Sequence, residues 1–324
     1  MKNKKIIIAG GSGFIGQALC NYFGADNDIV LLSRNVKEAN NTFGHNYVNT
    51  GTRVRKLYWD GITPGEWVEE INNADIVINL AGKSVNCRYT PTNKKAILDS
   101  RINATNALGL AIQNSEHPPA LLINAASATI YPHATDTARD ETFTGFANDF
   151  SVQVCKAWEQ AFYEQHTPYT RKIALRMAIT LGQAGVMTPY FNLLKFGLGG
   201  RQGSGRQMYS WIHVEDTCRM VEWLYSRTEL EGTFNCCSPN PVSNAEFMQT
   251  LRTVTGCRLG LPAYTWMLKI GAAIIGTETE LILKSRWVLP ARCMAAGFQF
   301  RYPLLQPALE QIVYQTPRRC YQLF

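Results

Sequence analysis

Seven residues near the start of the chain, Gly10-Gly11-Ser12-Gly13-Phe14-Ile15-Gly16, carry the strongest chemical signal. Gly10, Gly13 and Gly16 follow a β-branched run and open a helical pattern. That spacing allows a sharp turn, close approach of backbone to a pyrophosphate, and tight packing of helix on strand. The helix start adds free N–H groups and the positive end of a dipole. With Phe14 and Ile15 between its glycines, the segment reads as a dinucleotide phosphate cradle. The ribose-reading residue is due ~20 residues later. There the chain has Ser33-Arg34, and no acidic residue stands between Asp28 and Lys37. An arginine grips a 2′-phosphate through paired charged hydrogen bonds, and Ser33 adds a donor. NADP(H) is therefore the expected cofactor. Asp60, after a third strand, reads either as an adenine contact or as an ordinary turn aspartate.

These residues need a scaffold, and the apolar pattern supplies one. Strands are expected at 6–9, 29–32, 54–58, 75–80, 121–123 and 172–177. Helical spacing occupies 14–23, 65–72, 94–113 and 150–165 between them. Such alternation predicts βαβ units, and hence an α/β, Rossmann-type doubly wound parallel sheet covered on both faces. After Leu181 the rhythm loosens into an irregular substrate-side loop, about 183–210, marked by Gly197, Gly199, Gly200, Gly203 and Gly205. A helix at 214–227 and a strand at 232–236 close the first portion. Further helices are expected at 244–255, 264–275, 280–287 and 307–313. The division is therefore a nucleotide-binding domain at 1–238 and a smaller, mainly helical C-terminal domain at 239–316 on the substrate side.

Composition narrows the classes. The chain has 324 residues, 46% hydrophobic and 18% charged, which excludes wholesale disorder. The formal charge of +7 is scattered rather than gathered in a basic stripe, so no nucleic-acid partner is expected. A mild positive field suits anionic small molecules instead. Nine cysteines lack any spaced framework, which favours reduced thiols and a cytoplasmic location. No apolar run is long enough for a membrane span. The five histidines show no H-x-x-x-H spacing and no C-x-x-C occurs, so no metal site is expected. Glu215 and Asp216 suit a helix N-terminus, which makes His213 a capping residue before a catalytic one.

Several segments resemble the extended short-chain dehydrogenase/reductase superfamily, which holds NAD(P)-dependent sugar-nucleotide epimerases, dehydratases and reductases. They are the glycine segment, Asn79-Leu80-Ala81-Gly82, and Ser127-Ala128-Thr129-Ile130-Tyr131. A closer likeness is to its subgroup of epimerase family proteins. That likeness rests on Ser100-Arg101-Ile102 with Thr105, Val154-Cys155 with Trp158-Glu159, Ser210 to Asp216, Val288-Leu289-Pro290, Gly297-Phe298 and Phe300 to Pro303.

The resemblance implies an oxidoreductase or epimerase that moves a hydride on a carbonyl or secondary alcohol. It places Leu80, Ala81, Gly82 and Arg101 beside the cofactor, and Ser127 at the reacting oxygen. It also implies a Tyr-x-x-x-Lys pair on the helix after Gly145, and that pair is missing. With Glu159 as anchor, Ser151 takes the Tyr position and Cys155 the Lys position. A second register uses Val152 and Lys156. Cys155 is then a candidate thiol acid, with a small core residue as the alternative. A non-catalytic NADP(H) sensor or scaffold would also explain the loss. Lys83, Arg88 and Arg101, near the end of the fourth strand, are candidate contacts to an anionic substrate, with solvated surface charges as the alternative; Gln207 and Trp211 are candidate cleft residues, Trp211 with a core role as the alternative, and the resemblance gives Tyr131 a structural or ligand-lining role.

Overall fold

The computed structural model describes residues 1–34, 54–276 and 278–322. Its centre is a seven-stranded, all-parallel sheet. The strands are β1 (Lys5–Ala9), β2 (Asp28–Ser33), β3 (Val54–Tyr58), β4 (Ile76–Asn79), β5 (Leu121–Ser127), β6 (Arg171–Met177) and, after three short strands, β10 (Gly232–Cys236). Their order is β10-β6-β5-β4-β1-β2-β3. The chain leaves β1 in one direction and returns to β4 on its other side. A crevice therefore opens at the carboxyl ends of β1 and β4, the ligand side of a doubly wound sheet.

Strand periodicity divides the core. Ile6 and Ile8 of β1 face one hydrophobic cluster, with Leu19 and Phe23 of α1 (Phe14–Phe23) and Val221 and Leu224 of α5 (Val214–Ser226). Ile7 and Ala9 face the other, with Leu108 and Ile112 of α2 (Pro91–Gln113) and Phe162 of α3 (Phe150–Tyr163). Both faces of β1 are thus dry, as expected where helices cover each side of a parallel sheet. The expected helix at 65–72 is a 3-10 segment, Glu66–Ile71, that buries Trp67 and Ile71.

The irregular loop expected over 183–210 contains a helix, α4 (Met187–Lys195). It buries Met187, Tyr190, Phe191 and Leu194 in a third cluster. That cluster also takes in Phe247 and Leu251 of α6 (Asn244–Thr255) and Leu309 and Ile312 of α10 (Leu305–Tyr314). Short strands β7 (Ile179–Leu181), β8 (Met208–Tyr209), β9 (Trp211–His213) and β11 (Val242–Ser243) connect these parts, and α7 (Thr265–Ile275) follows.

The helix expected at 280–287 stops early, at α8 (Glu280–Leu283). Beyond it the backbone is drawn into extended pairing. Arg286 N donates to Met208 O at 2.8 Å, and Ser210 N donates to Arg286 O at 3.0 Å. The fixed partners along β8 outcompete another helical turn. A last short helix, α9 (Ala291–Ala295), precedes α10. All nine cysteines are free. No described helix is long and apolar enough to cross a membrane.

Candidate functional site

The glycine segment forms the β1–α1 turn at the crevice. Gly10 has φ +73°, and a Cβ there would lie 2.8 Å from the Ala81 backbone. A Cβ on Gly16 would lie 2.4 Å from the Gly11 Cα. These two positions need glycine because backbone packs on backbone. Gly13 differs: its nearest neighbour would be 3.8 Å away, so no packing contact demands glycine there. Gly13 is the N-cap of α1 and offers no side-chain cap to its amides. An uncapped helix start beside a bare glycine edge fits a pyrophosphate. Leu80 and Ala81 flank the turn from β4, as the contacts of Gly10 show.

Ser33 is buried at the end of β2 and Arg34 is exposed just beyond it. The neighbouring segment through residue 53 lies outside the described residues. Asp60 is drawn into its own turn. It accepts from the Ile62 and Thr63 amides at 2.8 Å, and Thr63 Oγ1 donates to it at 2.5 Å. These bonds, the Thr63 hydroxyl first, hold its carboxyl below the usual range. Of the two readings of Asp60, the turn aspartate is the one this geometry carries.

Arg101 lies under Gly82, whose added Cβ would meet the guanidinium carbon at 3.1 Å. It donates to Lys83 O at 3.0 Å and Ile97 O at 2.9 Å, and it stacks over Trp158 at 5.0 Å. Its role here is to shape the loop after β4. The Lys83 amide donates to Ser100 Oγ at 2.9 Å, which fixes the same loop. Arg88 is exposed and pairs with Glu278 at 3.7 Å.

Ser127 ends β5. Its Oγ accepts from Thr129 N at 3.1 Å, so its own proton is left to donate. Three candidate cleft residues lie inside the protein. Tyr131 is fully buried; its hydroxyl accepts from Arg176 at 2.8 Å and donates to Asn235 at 2.9 Å. Trp211 is fully buried, with its indole N–H given to Asn240 O at 3.0 Å. Gln207 is buried and donates to Gln202 O at 2.8 Å. All three spend their polar atoms inside the protein.

The two α3 registers differ in exposure. Lys156 is exposed and Val152 is fully buried, so the Val152/Lys156 pair forms no reactive couple. Ser151 and Cys155 are both buried. Burial, with Glu159 adding to it, pushes the Cys155 thiol up to about 12. A protonated thiol packed with Ala128, Ile130 and Val152 is a core residue, which corrects the thiol-acid reading.

Three segments converge at Ser151, and the sequence reading missed most of their residues. Ser151 Oγ donates to Glu280 Oε2 at 3.3 Å. Lys284 Nζ binds Glu280 at 3.1 Å and Asp149 at 2.6 Å. Arg286 Nη2 lies 3.6 Å from Glu280. The Tyr89 ring meets Phe150 edge-on at 5.1 Å, and its amide donates to Glu278 at 2.9 Å. Burial pushes Arg286 down to about 10 against the pull of Glu280 and Asp149. Burial also lowers Arg101 and raises Tyr89. The only sequence sign of this cluster is the i,i+4 pair Glu280/Lys284 just before Arg286. Among the described residues no group of side chains could hold a metal ion.

Residues 6–237 match the NAD dependent epimerase/dehydratase family, and residues 265–312 match a domain of unknown function. Epimerase family protein SSP1921 of Staphylococcus saprophyticus is 33% identical over 96% of this chain and all of its own length. Epimerase family protein YfhF of Bacillus subtilis is 32% identical over 95% of this chain and 97% of its own. Among solved structures, human epimerase family protein SDR39U1 with NADPH superposes with a TM-score of 0.82. It is 27% identical and covers 96% of this chain and 99% of its own. A UDP-N-acetylglucosamine 4-epimerase from Methanobrevibacter ruminantium shares the fold, with a TM-score of 0.74 at 16% identity over 97% of this chain and 98% of its own. The chain belongs to the NAD dependent epimerase/dehydratase family.

Proposed function

We propose that this protein binds NADP(H) and transfers hydride to or from a carbonyl or secondary alcohol of a small molecule. The observation that carries the reading is the cradle at Gly10, Gly13 and Gly16, where two glycines are demanded by packing and the third leaves room beside an uncapped helix start. Ser33 and Arg34 at the end of β2 would take the 2′-phosphate. The NADPH bound by the SDR39U1 structure supports the same choice. A bound nicotinamide supplies or accepts the hydride. Ser127 donates its free proton to the reacting oxygen, holding the carbonyl as charge develops on it. Arg101 keeps the Gly82–Lys83 loop in shape beside the cradle.

Fluorescence titration of the purified chain is expected to show saturable NADPH binding, tighter than NADH. Absorbance of the reduced nicotinamide with a carbonyl panel should then show substrate-dependent oxidation that Ser127→Ala removes. NADH binding equal to or tighter than NADPH would overturn the cofactor choice. A second reading is favoured by one observation: the helix that should carry Tyr and Lys presents Ser151 and the protonated Cys155. On that reading the protein binds NADP(H) as a sensor or scaffold. Tight NADPH binding without turnover, with a nucleotide-dependent partner, would select it.

A further inference from the structure

We propose that Arg286, backed by Lys284 and Arg101, binds a carboxylate carried by the substrate. This rests on the reading above that the cleft takes a carbonyl or alcohol substrate. The first argument is an orphaned donor set. Arg286 Nε and Nη1 are buried and have no hydrogen-bond partner. Its remaining nitrogen, Nη2, lies 3.6 Å from Glu280, beyond hydrogen-bonding distance. Glu280 is already shared between Lys284 at 3.1 Å and Ser151 at 3.3 Å. A buried charged donor left unpaired costs on the order of 1–3 kcal/mol or more. The guanidinium is therefore held out of water with Glu280 near one edge and two donors unmatched.

The second argument is charge. Around Ser151 and Cys155, three cations, Arg101, Lys284 and Arg286, face two carboxylates, Glu280 and Asp149. Nearby Arg88–Glu278 and Arg176–Glu159 are each self-neutral. The cluster is left net positive, and Lys94, 5.1 Å over the Phe150 ring, adds to it. A carboxylate offsets part of that charge and matches the planar fork of the guanidinium.

The third argument is place. Arg286 is set by backbone pairing to β8, with Arg286 N to Met208 O at 2.8 Å, and not by its side chain. Its guanidinium reaches the stretch of α3 where the resemblance puts the reacting pair. The anionic end of the substrate therefore lies beside its reacting end, as in oxo acids and hydroxy acids.

The test uses the full-length chain with NADP+ present and isothermal titration at fixed ionic strength. The probes are 2-oxobutanoate, acetoacetate and 4-oxopentanoate, their methyl esters, and inorganic phosphate. At least one acid should bind about tenfold more tightly than its ester. Arg286→Gln should abolish that difference while NADPH affinity stays unchanged, and Arg286→Lys should restore part of it. Equal binding of acids and esters, discrimination that survives Arg286→Gln, or phosphate preferred over every acid would overturn the proposal. So would loss of folding in both variants, which would make Arg286 a structural partner of Glu280. If wild type binds no NADPH, the cofactor reading falls, and the acid/ester comparison repeated without nucleotide still judges Arg286.

Discussion

Arg34 is the residue on which cofactor choice turns. It stands exposed at the end of β2, where a 2′-phosphate would meet its guanidinium. Charge-assisted hydrogen bonds contribute about 1.5–3 kcal/mol. Arg34→Asp removes them and adds repulsion, so NADPH should bind at least about tenfold more weakly while NADH changes little. Equal losses for the two nucleotides would remove Arg34 from the site. Ser127 carries the second test at this scale. If its proton steadies the developing oxyanion, Ser127→Ala should lower kcat by about 10²–10³. NADPH affinity should hold. Cys155→Ala should leave the pH profile of turnover unchanged, because the thiol stays protonated throughout the neutral range. The glycine cradle was legible in the sequence because it is a backbone demand written in consecutive residues. Arg286, Glu280 and Tyr89 were not, because they reach Ser151 from segments 62 and about 130 residues away along the chain, and the Glu280/Lys284 spacing does not say where the pair meets α3.

The brace between β6 and α3 acts at the scale of elements. Arg176 donates through Nε and Nη2 to both oxygens of Glu159, each at 2.8 Å. Its third nitrogen binds the Tyr131 hydroxyl, and the guanidinium packs over the Tyr131 and Phe146 rings at 5.2 and 5.4 Å. Burial works against the Arg176 charge, but Glu159 outweighs it and holds the guanidinium firmly protonated. Removing one member leaves the other as an uncompensated interior charge. Glu159→Ala should therefore cost about 3–5 kcal/mol in urea unfolding, while the paired replacement Arg176→Met/Glu159→Leu should recover most of the loss. A near-neutral Glu159→Ala would show that the brace does not hold α3 to the sheet. Elements written as an unbroken apolar run, such as β1 and β4, or with a strong helical period, such as α5, were legible in the sequence. α4 was not, because the glycines that follow it dominate its surroundings and its apolar face is completed only by α6 and α10. The early stop of α8 was also hidden, since its cause is the distant edge of β8.

At the scale of the whole molecule, the question is what fastens the C-terminal helices to the sheet domain. Asp216, fully buried near the start of α5, accepts the amides of Arg301 and Tyr302, both at 2.8 Å. Next to it, His213 Nδ1 accepts the Glu215 amide at 3.2 Å, as the expected cap. That bond makes Nε2 the protonated nitrogen, which donates to Gln311 of α10 at 2.9 Å. The ring also lies against Tyr302, with centroids 4.1 Å apart. Burial lowers the His213 pKa, although Gln311, Asp216 and Glu215 oppose it and Arg301 adds to it. The sign follows. Above about pH 6.5 the ring is neutral in both folded and unfolded chains and contributes no pH dependence. As pH falls below that value, the unfolded chain takes up the proton first, so stability declines until the folded-state pKa is passed. Protonation also removes the Nδ1 acceptor and with it the cap. Urea midpoints should therefore fall between pH 7 and 5.5 in the wild type. His213→Asn, which keeps a side-chain acceptor for the cap but cannot titrate, should lose less across the same window. The carboxylates are the same in both proteins, so the difference between them reports His213. Parallel declines in the two proteins would show that His213 does not couple proton uptake to the fastening of α10.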